Sequence, residues 1–108
     1  ALAAVIRTQA ACILSQVHLE HFFDPSQHHS ARNEMEILHR TSVFRLDRVV
    51  IFENEVWILD YKRNYLDSEH AAYQAQLSGY RVAAAMVFGG KTLKSALITV
   101  DGRLIELE

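Results

Sequence analysis

Residues 42–62 read SVFRLDRVVIFENEVWILDYK, and this stretch decides the fold. Valine, isoleucine, leucine, phenylalanine and tryptophan dominate both halves of it, as in β-strands. The Glu53-Asn54 pair between the halves is typical of a tight turn. The sequence therefore predicts a hairpin made of Ser42–Phe52 and Glu55–Lys62. Because both faces of this hairpin are apolar, we expect other elements to cover it on both sides.

Upstream of the hairpin, the sequence changes character three times. Apolar residues recur every three or four positions near the start, which is typical of an amphipathic helix. A polar run containing the only proline, Pro25, separates this part from the next strand. The predicted elements are a helix over Leu2–Val17, a short turn containing Leu19, Phe22 and Phe23, an exposed loop over Ser26–Asn33 and a strand over Glu34–His39.

Downstream of the hairpin, an alanine-rich segment predicts a long helix, and Asp101-Gly102 predicts a tight turn between two short strands. The order of helix, three strands, helix and two strands indicates an α/β fold with a mixed central sheet of about five strands flanked by helices. The predicted bounds are Glu69–Phe88 for the helix, capped by Asp67-Ser68 and ended by Gly89-Gly90, and Ser95–Val100 and Arg103–Leu107 for the strands.

Length and composition restrict the class of protein. The chain has 108 residues, of which 50% are hydrophobic and 22% charged, so it is long enough for one domain with its own core. Its single cysteine, Cys12, excludes an internal disulfide framework and favours a cytoplasmic location. The net charge of −2 gives no overall basic field that would attract nucleic acid. The apolar run Ala1–Ile6 is too short for a membrane span, so no membrane partner is expected.

Three charged residues should share one face of the hairpin. If Glu53-Asn54 forms a two-residue loop, Asp47 lies directly opposite Asp60; if the turn is shifted by one residue, Asp47 lies opposite Lys62. Both registers place all three side chains on the same face, because side chains alternate along a strand. A three-residue loop would break this parity.

Two opposed carboxylates repel each other at a separation of about 5 Å unless a cation lies between them. Carboxylate oxygens from two strands suit Mg²⁺ or Mn²⁺, and a nearby lysine can place a water molecule or stabilise charge on a phosphate. In the alternative interpretation, Asp60 and Lys62 end their strand in solvent, and Asp47 pairs with Arg45 or Arg48. The sequence leaves both interpretations open.

The same residues resemble a known motif. FRLDRVV at residues 44–50, followed by VWILDYK at residues 56–62, resembles the nuclease motif of the PD-(D/E)XK superfamily. More narrowly, the chain is similar to the RecB/AddA-type nuclease domain at the C-terminus of UvrD-like ATP-dependent helicases. Gln76 and Tyr80 match the Gln-x-x-x-Tyr motif of that group. NEMEI at residues 33–37 resembles its acidic strand, and residues 96–107 resemble its final hairpin, so the resemblance covers most of the chain from about Leu19.

The resemblance implies a restriction-endonuclease-like core and metal-dependent hydrolysis of DNA during the processing of double-strand breaks. It implies that Asp47 and Asp60 bind Mg²⁺ or Mn²⁺, that Lys62 acts as a base or electrostatic catalyst, and that Gln76 and Tyr80 are accessory catalytic residues. Glu34 matches the acidic strand and is a further candidate metal ligand, or a support for a neighbouring basic residue. In the alternative interpretation, Gln76 and Tyr80 belong to the ordinary surface and core of an alanine-rich helix.

One departure from the family concerns a metal-binding histidine that precedes the acidic strand. His18 and His21 lie too close to Glu34 to match it, so we expect this histidine to precede Ala1 in a longer parent protein. Residues 1–108 would then be an N-terminally truncated nuclease domain, inactive or weak in metal binding when isolated. The helicase portion of the parent would bind ATP, and a second exonuclease subunit is a further expected partner.

Two other functional interpretations stay open at this point. The chain could be a catalytically degenerate nuclease fold that guides DNA or docks a partner within a helicase. It could also be a free-standing protein-interaction domain, for which the slight acidic excess is the only support. Neither interpretation accounts for opposed carboxylates on an otherwise apolar face.

Overall fold

One mixed five-stranded sheet runs through residues 19–107, the part of the chain that the computed structural model describes. The strands lie in chain order across the sheet: β1, β2 and β3 are antiparallel neighbours, β3 and β4 are parallel, and β4 and β5 are antiparallel. The predicted α/β fold with a mixed sheet of about five strands is therefore confirmed. The bounds are β1 Ser30–His39, β2 Ser42–Ile51, β3 Glu55–Lys62, β4 Thr92–Thr99 and β5 Leu104–Leu107.

Helices cover both faces of the sheet. Helix α1, Glu20–Phe23, lies on one face, where Phe22 packs with Trp57 and Leu59. Helix α2, His70–Ala85, follows a 3-10 turn at Asp67–Glu69 and makes the crossover that joins the parallel strands β3 and β4. It covers the opposite face. Two buried groups confirm the prediction that both faces of the Ser42–Lys62 hairpin are covered. On one face, Leu19 and Phe22 pack with Val50, Trp57 and Leu59. On the other face, Ala83 and Ala84 of α2 pack with Leu46, Val49, Val56 and Ile58.

Several predicted boundaries are wrong. Strand β1 begins at Ser30, inside the predicted loop Ser26–Asn33, because its backbone pairs with β2 as far as Ile51. Strand β4 begins at Thr92, three residues earlier than predicted, since Thr92 pairs with Glu55 of β3. The long helix ends at Ala85 and its first turn has no side-chain cap from Asp67 or Ser68.

The predicted helix over Leu2–Val17 lies outside the described residues. The short turn predicted around Leu19, Phe22 and Phe23 is present as α1. Between residues 19 and 107, no helix has the length and apolar character needed to cross a membrane.

A buried polar network attaches β5 to the sheet. The Ser95 side chain is fully buried and its hydroxyl donates a hydrogen bond to the Leu107 carbonyl at 2.8 Å. The Arg81 guanidinium of α2 donates to the same carbonyl at 3.0 Å and to the Ser95 hydroxyl oxygen. One hydroxyl thus links the helix, β4 and the last strand.

Replacing Ser95 by alanine is expected to lower the free energy of unfolding by about 1–3 kcal/mol, because it removes buried partners of both Arg81 and Leu107. Urea denaturation measures the effect. Thr92→Ala, at an exposed position of the same strand, is the matched control and should change stability by less than about 0.5 kcal/mol. Equal effects of the two substitutions would show that the network does not stabilise β5.

Candidate metal centre

The register of the central hairpin follows from a two-residue turn. Phe52 donates its N–H to the Glu55 carbonyl at 2.8 Å, and Arg48 pairs with Leu59 at the last described ladder position. Continued by one residue, this register sets Asp47 opposite Asp60. The first of the two predicted registers is confirmed, and the one that set Asp47 opposite Lys62 is wrong.

Asp47 stands where the ladder between β2 and β3 ends. Its Oδ2 accepts the backbone N–H of Tyr61 at 2.9 Å, so the carboxylate takes the place of a strand carbonyl. This hydrogen bond orients the Asp47 side chain along β3 towards Asp60. The Asp47 carboxylate therefore lies beside Asp60 at the polar end of the face that α2 covers.

Asp60 is the buried member of the group, with 4% of its surface exposed. Burial and, to a smaller extent, the neighbouring Asp47 carboxylate raise the pKa of Asp60 to about 6, against the opposing effect of Lys62. The Lys62 Nζ lies 2.9 Å from Asp60 Oδ2, and among the described residues this buried oxygen has no hydrogen bond of good geometry. The carboxylate is therefore held ionised at pH 7 in a place that disfavours its charge.

Lys62 lies between this carboxylate and solvent, with 27% of its side chain exposed. Burial alone would lower the pKa of Lys62, but the ion pair with Asp60 outweighs it and the pKa is raised. Lys62 is therefore a cation at neutral pH. It supplies positive charge at the edge of the site.

The alternative interpretation of these residues is wrong for Asp60 and for Asp47, whereas Lys62 does end β3 and is partly exposed. Asp60 is buried and does not end its strand in solvent. Arg45 pairs with Glu34, with 2.9 Å between Nη2 and Oε1, and the Arg48 guanidinium donates to the Phe22 carbonyl on the other face of the sheet. Neither arginine pairs with Asp47 in the contacts that the structure describes.

Helix α2 brings its two predicted residues to the same site. Gln76 Nε2 donates to the Tyr80 hydroxyl at 2.9 Å, as expected for side chains four residues apart on a helix. Burial raises the pKa of Tyr80, and the nearby Asp60 and Asp47 carboxylates add to this effect. Tyr80 also packs edge-on against Phe44 of β2, with ring centroids 6.1 Å apart, which fixes the ring over the hairpin.

Glu34 does not join the two aspartates. Its backbone is in the left-handed region, with φ of 52°, and its exposed carboxylate is paired with Arg45. Within residues 19–107, no group of three His, Cys, Asp or Glu side chains is arranged to hold a metal ion. Of the two roles considered for Glu34, the contacts of the structure correspond to support of a neighbouring basic residue.

His21, the described histidine near the chain start, lies away from the two aspartates. His21 packs against Phe22 and against Phe52, with its ring 5.8 Å from that of Phe52, at the turn end of the hairpin. Asp60 is five residues along β3 from this end, a distance of about 17 Å. His18 lies outside the described residues.

The sequence reasoning missed one residue of the site, Tyr73. Its ring lies beneath the Lys62 ammonium, with 5.6 Å between Nζ and the ring centroid. The signal was present, because Tyr73, Gln76 and Tyr80 are spaced by three and four and therefore share one helix face. The spacing alone is equally typical of an ordinary buried helix face, because the sequence does not show that this face covers the end of β3.

The arrangement fits a divalent ion held by two carboxylates. Mg²⁺ in proteins is commonly bound by one or two carboxylates, with water and substrate phosphates as the other ligands. The burial of Asp60 beside a second carboxylate and the raised pKa of this group are both features that a bound cation would relieve. No protein-family model matches the chain, and a search of curated proteins also finds no match.

Proposed function

We propose that the chain is a metal-dependent DNA nuclease domain of the RecB/AddA type with a restriction-endonuclease-like core. The observation that carries the proposal is the convergence of Asp47, Asp60 and Lys62 at one end of the β2–β3 hairpin, with Asp60 buried and its pKa raised to about 6. The resemblance of the two strands to the nuclease motif supports the same assignment.

The buried position of Asp60 favours a catalytic site over a scaffold. A scaffold gains nothing from a buried carboxylate facing another one, since an uncharged residue of the same size would avoid the cost of burial. Groups whose pKa is displaced by burial and by a specific charged partner concentrate at functional sites. The degenerate nuclease fold, which would guide DNA or dock a partner, leaves this cost unexplained.

Each residue has a role that follows from its position. Asp47 and Asp60 would hold the ion, which when bound supplies positive charge to a phosphodiester and activates water. Lys62, charged and partly exposed, stabilises the negative charge that grows on the phosphate. Tyr80 lies near the two carboxylates, which contribute to its raised pKa, and Gln76 donates a hydrogen bond to the Tyr80 hydroxyl.

The proposal extends to a longer parent protein, an ATP-dependent helicase-nuclease that degrades DNA ends during repair. In that protein the helicase portion would bind ATP and deliver DNA to this domain, and a second exonuclease subunit is a proposed partner. DNA is the proposed substrate even though the chain is slightly acidic, because contact with phosphates depends on local cations and on the metal.

Metal binding by the chain and cleavage by the parent protein test the assignment together. In amide NMR spectra of the chain, Mn²⁺ is expected to broaden the signals of Asp60 and Tyr61 first and to spare Asn54 at the far turn. The parent protein is expected to degrade linear duplex DNA with Mg²⁺ or Mn²⁺ and to be inactive with a chelator. Broadening without cleavage would favour the degenerate guiding module, and uniform broadening would contradict a site at Asp60.

A further inference from the structure

Lys62 contacts an aromatic ring of α2 in addition to the carboxylate of its own strand. The face of the Tyr73 ring lies 5.6 Å from the Lys62 Nζ, measured to the ring centroid. An ammonium at this distance is attracted by the negative charge over an aromatic face, and more strongly where water is partly excluded. Only 27% of the Lys62 side chain is exposed, so water is partly excluded from this contact.

The Tyr73 ring is itself fixed in position. Tyr73 is 7% exposed and packs in a buried group with Leu77 and Leu97. Its hydroxyl donates to Glu69 Oε2 at 2.9 Å, and the ring of Tyr65 lies 5.7 Å from its own. The ring is therefore held by packing at its body and by a hydrogen bond at its tip, and it cannot follow the lysine if the lysine moves.

A divalent ion on Asp60 would change the surroundings of Lys62. The ion would take the carboxylate oxygen that now lies 2.9 Å from Nζ, and the two positive charges would repel each other. The attraction of this carboxylate for the ammonium would then weaken, and the flexible lysine stem allows Nζ to move towards solvent. The Tyr73 ring is uncharged and does not bind the ion, so its attraction for the ammonium remains.

We infer that Tyr73 is a positioning residue that keeps the Lys62 ammonium beside the carboxylates when a divalent ion occupies them. This inference rests on the proposed nuclease function and adds to it a residue outside the matched motifs. Tyr73 acts through Lys62 and is not assigned a contact with the substrate.

The first experiment measures the contact on the chain by NMR, without DNA. Because the Lys62 Nζ lies over the ring face, the adjacent ε-methylene protons are expected to resonate upfield of those of a lysine in an unfolded peptide. The upfield shift should persist at Mg²⁺ concentrations that saturate the change in the Asp60 amide signal, and in Tyr73→Phe, which keeps the ring. It should vanish in Tyr73→Leu. Loss of the shift in the wild-type chain on adding Mg²⁺ would overturn the inference.

The second experiment measures DNA cleavage by the parent protein carrying the same substitutions. Tyr73→Leu is expected to lower kcat about tenfold, equivalent to about 1.4 kcal/mol, with KM for DNA unchanged within about twofold. Tyr73→Phe keeps the ring, so its kcat should be close to that of the wild type. A role that depends on the hydroxyl would instead predict a loss of kcat in this variant. If Lys62→Ala abolishes cleavage but Tyr73→Leu leaves kcat unchanged, the positioning role is wrong and the nuclease function stands.

Two further outcomes are decisive. Tyr73→Leu removes a buried ring, so Glu69→Ala serves as a second variant that keeps the ring and removes only the hydrogen bond at its tip. Like Tyr73→Phe, it is expected to leave both the upfield shift and kcat close to wild type, and loss of both in these two variants would count against a role of the ring itself. If the wild-type parent cleaves no DNA, the nuclease function and the positioning role both fall, while the NMR shift still reports whether the contact exists.

Discussion

Replacing Asp60 by asparagine is expected to lower the rate of DNA cleavage by about 10³-fold while leaving the chain at least as stable as wild type at pH 7. Asparagine keeps the shape of the side chain but removes the charge that a divalent ion requires. It also removes a buried charge whose pKa is raised to about 6, so the folded state no longer bears its cost. DNA cleavage by the proposed parent protein and thermal unfolding of the chain measure the two effects.

Asp67→Asn is the matched control, because it makes the same chemical change at an exposed position in the 3-10 turn before α2. It should leave both cleavage and stability close to wild type. Lys62→Met tests the cation separately and should also abolish cleavage. Because this substitution leaves Asp60 without its ion-pair partner, it is expected to reduce stability as well. Cleavage that survives in both Asp60→Asn and Lys62→Met would remove the basis for a nuclease site here.

The central hairpin was predictable because its information is local. Apolar residues fill both strands, and the Glu53-Asn54 turn sets which residues face each other, so the position of Asp47 across from Asp60 follows from a two-residue loop. Strand β1 was predicted only from Glu34 onwards because its first part, including Arg32 and Asn33, is polar and exposed at the edge of the sheet. An edge strand held by backbone hydrogen bonds on one side need not show apolar alternation.

The electrostatics of the site could not be predicted in the same way. The sequence places Asp60 on the face that carries Val49 and Ile58, but its burial depends on where α2 crosses that face. The same crossing brings Tyr73 under Lys62 and Tyr80 towards the carboxylates, and these contacts join residues on different elements. For Glu34 the motif suggested a metal ligand. In the structure its carboxylate is exposed and pairs with Arg45, and its backbone lies in the left-handed region.

The free energy of unfolding of the metal-free chain is expected to fall by about 2 kcal/mol as the pH rises from about 4 to about 7, through Asp60 alone. Burial, with the Asp47 carboxylate adding to it, raises the pKa of Asp60 from 3.8 to about 6 in the folded chain. Between these values the folded state binds more protons than the unfolded state, so stability falls with increasing pH. A shift of this size corresponds to about 3 kcal/mol, all of it lost once the pH exceeds the folded pKa.

The difference between wild type and Asp60→Asn isolates this contribution, because other groups titrate in both proteins. The pKa of Asp24 is lowered by hydrogen bonds from Ser26, and that of Asp101 by one from Thr99. Ionisation of these two groups therefore favours the folded state at pH values above their ordinary pKa. Because this effect is the same in both proteins, it cancels in the difference. Urea denaturation in the presence of a chelator, repeated from pH 4 to pH 7, should show Asp60→Asn gaining on wild type as the pH rises. Since metal ligands must be deprotonated, Mg²⁺ should then restore stability to the wild type at pH 7 and not at pH 4. A difference that does not vary with pH would mean that Asp60 titrates as an ordinary exposed carboxyl, and the electrostatic argument for a cation at this end of the hairpin would fail with it.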